Sequence, residues 1–184
     1  AVTYDDWGCG WLWNTPEYMG QAVHHPLQDW RELSSYKSPD PMTGQEGVAL
    51  MAEEVSADSH EHFVFVDGGE LFQRMIFLRG MEEIMLDLHE ARDEVFALRD
   101  QIMDVCLQRI QYWGKTGVVD GMILRDDWGT QEALMIRPQV WRSVFKPAYQ
   151  KLVDAIHETG ACVSFHSDGV IDEILQIGRA SCRE

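Results

Sequence analysis

Two short polar stretches in this 184-residue sequence carry residue types that do chemistry. One is Arg125-Asp126-Asp127-Trp128-Gly129-Thr130-Gln131, and the other is His166-Ser167-Asp168-Gly169. Carboxylates and an imidazole gathered in this way can do three kinds of work. A His-x-Asp pair puts two ligands on one face of a strand end and can bind Zn²⁺. Paired carboxylates can act as general acid and base once burial and mutual repulsion separate their pKa values. The same groups can orient a substrate by hydrogen bonding. Each residue also has a purely structural reading. Asp127 can cap the following turn, Trp128 can plug a core, His166 can be a satisfied core histidine, and Asp168 can sit near the N-cap of the next helix. His24-His25 reads as loop. His60-Glu61-His62 precedes a strand, where neighbouring side chains point to opposite faces.

These stretches are useful only if the elements before them bring them together. Each follows an apolar run, Gly117–Arg125 and Ala161–His166, which reads as a buried strand. A third run, HFVFVDGG from His62, reads the same way. Helical patterns alternate with these strands. Glu70–Leu88 is helical in composition, with a break at Arg79-Gly80. Asp93–Trp113 places Val95, Leu98, Ile102, Val105, Cys106, Ile110 and Trp113 at three- and four-residue steps, and glycines 114 and 117 end it. Pro138–Thr159 is the next helix, kinked or divided at Pro147, and Val170–Gln176 begins another. Helix–strand alternation predicts an α/β fold, either a TIM barrel or a doubly wound sheet. No glycine-rich phosphate loop follows any strand, which favours the barrel. In a barrel, both polar stretches would lie on the carboxyl-terminal rim.

Residues 1–57 form a less regular amino-terminal segment ahead of the βα units of 58–176. Trp7, Trp11 and Trp13 with nearby glycines predict a β-hairpin or extended strand. Leu27–Tyr36 predicts a short helix, and Thr43–Glu54 another. DDWG occurs here as well, at Asp5–Gly8, with no strand leading into it. That copy is expected to be structural or a pocket wall. The last residues, Ile177–Glu184 (IGRASCRE), match one reading frame of a sequencing adapter and are expected to be a non-native tail on a fragment cut at both ends.

Net charge is −16, with 31 acidic against 15 basic residues. That argues against nucleic acid and acidic membranes as partners. The absence of a long apolar run or signal peptide makes the cytoplasm the expected location. Four cysteines without a CxxC pair argue against a disulfide framework or an all-cysteine zinc site.

RDDWGTQEALMIRPQVWRSVFKPAYQKLVDAIHETGACVSFHSDG resembles the uroporphyrinogen decarboxylase superfamily, in the branch of corrinoid- and cobalamin-dependent methyltransferases. DDWGCGW, HHPLQDW and FLRGMEEIMLDL extend the resemblance over roughly Tyr4 to Gln176. It implies an incomplete TIM (β/α)8 barrel, zinc as cofactor, and a methyl group moved between a small-molecule donor and a corrinoid carried by a partner protein. It implies His166 and Asp168 as metal ligands. Relatives carry His-x-Cys there, followed by a later cysteine expected beyond this sequence. Aspartate is a harder ligand than cysteine and suits activation of a methoxyl oxygen better than that of a thiol. Asp126 and Asp127 are the expected acid–base or substrate-orienting residues, and Trp128 and Gln131 the expected pocket walls. Arg79 is the expected anion binder, with a salt bridge at the helix break as the alternative. The other branch implies metal-free decarboxylation of a porphyrinogen, an octacarboxylate that needs a basic pocket. A third reading is a non-catalytic ligand-binding homologue or an inactive fragment.

Overall fold

The computed structural model describes residues 1–15, 20–45, 47–48, 50, 54 and 62–174. Of the expected helix over residues 43–54, residues 47, 48, 50 and 54 are helical, while residues 46, 49 and 51–53 lie outside the described residues, as does the whole of the 177–184 tail. The tryptophan-rich start forms a three-stranded antiparallel sheet rather than a lone hairpin: β1 (Val2–Tyr4), β2 (Gly10–Leu12) and β3 (Gln21–His24). Its turn is organised by Asp5. The Asp5 carboxylate accepts the backbone N–H groups of Trp7 and Cys9 and the indole N–H of Trp11. The first DDWG copy is therefore a side-chain-built turn, as an aspartate that hydrogen-bonds its own following backbone produces.

The expected helix over Leu27–Tyr36 is only a single 3₁₀ turn, Trp30–Glu32, capped by Asp29. Tertiary pairing overrides the local pattern. The Leu27 amide donates to the carbonyl of Leu78, and the Tyr36 hydroxyl donates to that of Trp7. A backbone amide at one end and a side-chain hydroxyl at the other thus tie the segment to distant elements.

The second half of the chain alternates as its periodicity predicts. Strands β4 (Phe65–Gly69), β5 (Gly121–Arg125) and β6 (Cys162–His166) form a parallel sheet in that order. The register pairs Asp67 with Ile123, Ile123 with Ser164 and Arg125 with His166. Helices α1 (Phe72–Arg79) and α2 (Met81–Glu90) follow β4 and meet at Gly80. The long α3 (Asp93–Thr116) crosses back and buries Val95, Leu98, Ile102, Cys106, Ile110 and Trp113. Each fully buried apolar side chain of this kind contributes about 1.5–3 kcal/mol. Gly117 ends α3 in the left-handed region, at φ 69°.

The division expected near Pro147 takes the form of a π-turn. A short helical turn, Pro138–Val140, runs into a wide turn over Trp141–Phe145 and then into α4 (Lys146–Glu158). Pro147 has no N–H to offer the carbonyl four residues back, and the backbone N–H of Lys146 bonds instead to the Trp141 carbonyl. After β6, the described part of the expected Val170–Gln176 helix is a 3₁₀ turn at Asp172–Ile174. Among the described residues no helix is long and apolar enough to cross a membrane.

One apolar core joins both halves, from Cys9, Leu27 and Leu33 through α1–α4 to Ile174. Arg79 is the polar fastener within it. Its Nε donates to Asp87 Oδ2 at 2.8 Å, its Nη1 donates to the carbonyls of Leu27 and Gln28, and its guanidinium lies 4.5 Å over the Trp30 ring. This corrects the expectation that Arg79 binds a ligand's anionic group. Only 9% of the residue is exposed, and its Nε and Nη1 donors are taken by α2 and the amino-terminal segment. Removing it would take the closest cation from the Asp87 carboxylate, which is 5% exposed and would keep the Trp30 indole N–H at 3.0 Å and Arg92 at 3.6 Å. Arg79→Ala is expected to cost about 3–5 kcal/mol, read as a lower urea midpoint, and to loosen residues 25–36 toward proteolysis.

Candidate functional site

Alternation along β5 and β6 divides their side chains between two faces. Met122 and Leu124 are fully buried under the helices, and Val163 and Phe165 pack on the same core. Arg125 and His166, neighbours in register, project to the opposite, open face and are half exposed. The strand ends continue this sorting. The backbone N–H of Asp126 donates to the His166 carbonyl, so the pairing runs one residue past the strand.

Asp126 turns inward. It is 2% exposed, and its carboxylate accepts the backbone N–H groups of Leu71 at 2.7 Å and Gln73 at 2.6 Å, together with the Tyr149 hydroxyl. Leu71 and Gln73 lie at the amino end of α1, which has no cap from its own N-cap side chain. Asp126 therefore caps that helix from 55 and 53 residues away, where its unpaired N–H groups and dipole favour an anion. This corrects its expected acid–base role, because no carboxylate oxygen reaches the open face. Burial pushes its pKa up to about 7, while the hydrogen bonds from Gln73, Tyr149 and Leu71 pull the other way.

Trp128 turns inward too. It is fully buried, stacked on Phe72 with ring centres 4.2 Å apart and set edge-on against Phe145 and Tyr149. It is a core plug, not the expected pocket wall. Gln131 is exposed in a tight turn closed by Thr130, whose Oγ1 accepts the N–H groups of Glu132 and Ala133, and it does not line the cavity described below.

Asp127, His166 and Asp168 do converge. One ligand atom from each lies within 4.8 Å of the others. His166 Nε2 is 3.6 Å from Asp127 Oδ1 and 3.6 Å from Asp168 Oδ1. The Asp168 backbone N–H donates to Asp127 Oδ1 at 2.9 Å and orients that carboxylate. All three side chains are partly or largely open to solvent.

The two loops are pinned together by bonds no spacing argument supplies. The Trp128 N–H donates to Ser167 Oγ, that of Gly129 to the Asp168 carbonyl, and that of Val170 to the Thr130 carbonyl. The loops approach so closely that a Cβ on Gly169, at φ +78°, would lie 2.4 Å from Gly129 backbone atoms. One on Gly129 would lie 2.5 Å from the Val170 nitrogen. The glycines that end both motifs are thus required by backbone contact.

A cavity of about 220 Å³ lies on the Arg125 side of the cluster. Asp5, Asp6 and Trp7 of the first DDWG copy line it, so that copy is a pocket wall as well as a turn. Its opposite wall holds Asp67, which is bound by Arg109 at 3.0 Å and Arg125 at 3.2 Å. Arg74 bridges Asp5 and Glu70. Sequence reasoning missed Asp67, Arg109, Arg125 and Ser167. The available signal for Asp67 was a carboxylate inside an otherwise apolar strand run, HFVFVDGG.

Among the described residues the cysteines offer little to a metal here. Burial pushes the thiols of Cys9 and Cys106 up to about 12, and Cys162 is exposed at the start of β6, the opposite end from His166.

No protein-family model and no curated protein matches the sequence. Among solved structures, the fold is similar to that of a methyltransferase from Methanosarcina mazei, with a TM-score of 0.72 and 14% identity over 94% of this chain and 50% of that one. The chain spans about half the length of that protein. At this identity the likeness is one of fold: a mixed α/β architecture with a parallel sheet.

Two outcomes test the frame around the cluster. Gly169→Ala is expected to destabilise the protein by at least about 2 kcal/mol, from strain at positive φ and backbone overlap, and to separate Asp168 from Asp127. Asp126 sets a pH slope. Its folded pKa lies above its unfolded value, so the folded state holds the extra proton between about pH 4 and 7, and stability falls as pH rises through that window. From pH 5 to pH 8 the wild type should lose about 3 kcal/mol relative to Asp126→Asn, measured by urea unfolding of both proteins at each pH.

Proposed function

We propose that the chain is part of an incomplete TIM barrel of the uroporphyrinogen decarboxylase type and works as a zinc-dependent methyltransferase, moving a methyl group to or from a corrinoid carried by a partner protein. The observation that carries this reading is the convergence of Asp127, His166 and Asp168 at the carboxyl ends of adjacent parallel strands. The fold likeness to a methyltransferase supports it.

The three side chains suit zinc. Tetrahedral ligands at about 2.0–2.2 Å from the metal lie about 3.3–3.6 Å from one another, and the 3.6 Å separations from His166 to both carboxylates come close to that. His166, Asp168 and Asp127 would hold the ion. When bound, zinc supplies a Lewis acid at the heteroatom bearing the methyl group, and this oxygen-rich ligand set matches a hard atom such as a methoxyl oxygen.

The chain's own residues prepare that position. The Asp168 N–H fixes the Asp127 carboxylate. Ser167 and the paired glycines hold the two loops at one spacing. Asp126 and Trp128 anchor the DDWG loop from below, so the site rests on packed elements, as positioned chemistry requires.

Decarboxylation of an octacarboxylate would need many free cations. In the neighbouring cavity Arg74 and Arg109 are already paired with Asp5, Glu70 and Asp67, and Arg125 alone of the three stays half exposed, which favours methyl transfer.

Metal analysis of the purified protein is expected to find about one zinc per chain. His166→Ala and Asp168→Ala should lose it, with methyl transfer falling at least about a hundredfold. Both sites are half or more exposed, so thermal stability in the absence of metal should barely change. A zinc-free wild type whose turnover survives His166→Ala would refute the reading.

A further inference from the structure

Beside the candidate metal cluster lies a small island of positive charge in a chain that carries −16 overall. Asp67 is shared by two arginines, Arg109 Nη1 at 3.0 Å and Arg125 Nη2 at 3.2 Å, so this trio holds one formal positive charge. The two arginines differ in what else they do. Arg109 is nearly buried at 12% side-chain exposure, and its Nε also donates to the Pro41 carbonyl. Arg125 is 51% exposed and lines the cavity.

Its position in the sheet is specific. Arg125 and His166 are register partners across β5 and β6. Their side chains leave the same face about one strand spacing, 4.8 Å, apart. The Arg125 guanidinium leans toward Asp67 on β4, away from His166, so a small molecule could touch both side chains at once. The rest of the cavity is acidic. Arg74 is outnumbered by Asp5 and Glu70, and Asp6 adds a further carboxylate.

From this arrangement we infer that Arg125, held in place by Asp67, is a substrate-positioning residue. It receives a carboxylate or similar anionic group at one end of the methyl-bearing molecule and points the other end at Asp127, His166 and Asp168. The substrate class is therefore a small methylated anion, and acidic walls on the other side of the cavity turn the anionic end toward Arg125. A guanidinium suits this task because its planar fork can bind a carboxylate with two parallel hydrogen bonds. The assignment rests on the proposed methyltransferase reading for what stands at the far end of the molecule. Arg125 itself touches only the end that does not react.

The probe is methoxyacetate, with uncharged methoxyacetamide as its neutral counterpart. Binding of each to the zinc-loaded protein is measured by calorimetry, for the wild type, Arg125→Gln and Arg125→Lys, with zinc content and melting temperature recorded for each. The wild type is expected to prefer methoxyacetate by about tenfold or more. Arg125→Gln should abolish that preference while leaving zinc content and methoxyacetamide binding unchanged. Arg125→Lys should retain the charge but not the fork, giving an intermediate preference and showing that the loss is not one of folding. Equal binding of the two probes by the wild type, or an undiminished preference in Arg125→Gln, overturns the assignment. A protein that holds no zinc but still prefers methoxyacetate through Arg125 overturns the metal reading and leaves anion recognition standing.

Discussion

The carboxylate of Asp126 ties the carboxyl end of β5 to the amino end of α1, and the arrangement of the site follows from that attachment. Three donors from two other elements converge on it: the backbone N–H groups of Leu71 and Gln73, and the hydroxyl of Tyr149 on α4. A buried carboxylate is tolerable only with such partners. In return, a helix start without a local cap acquires one. With Asp126 fixed inward, Trp128 two residues later falls on the same side and stacks on Phe72, the first residue of α1. Asp127, between them, faces outward. Two adjacent aspartates of the same type thus acquire opposite roles, one holding the frame and one joining the open cluster with His166 and Asp168.

Backbone contact between the two loops is the second constraint. Gly129 and Gly169 allow the loops to touch at distances no side chain would permit, and Ser167 bridges them. This fixes the separation of Asp127 from Asp168 without covering either. The cluster stays open to solvent above a closely packed aromatic layer, a division expected where rigid support must coexist with access for a ligand. The amino-terminal sheet contributes a wall. Asp5 organises its own turn, pairs with Arg74 and lines the cavity, linking the first DDWG copy to the site's periphery.

The likeness to a methyltransferase is one of fold, and fold alone does not determine activity. The case for a hard, oxygen-preferring metal site comes from the chain's own donor set, one imidazole and two carboxylates. It also comes from the state of the thiols, which burial keeps protonated in Cys9 and Cys106.

Much of the architecture was legible from periodicity. The three parallel strands, the long amphipathic helix and the break at Gly80 all follow from apolar spacing and glycine, because burial of a repeating face is what the sequence encodes most directly. The pairing of His166 with Asp168 was legible from its i, i+2 spacing at a strand end. The helix expected over Leu27–Tyr36 failed because the Leu27 amide is held by Leu78 and the Tyr36 hydroxyl by Trp7, partners no local window contains. Arg79 and Asp126 looked like site residues because they are charged and sit beside motifs. Their burial depends on α2 and α1, which pack against them only in three dimensions. The sequence by itself determined which residue types end each strand. Which carboxylate turned inward to cap a helix, which turned outward toward His166, and which arginine kept its charge available were decided by tertiary structure, because desolvation and long-range hydrogen bonds act only once the chain is packed.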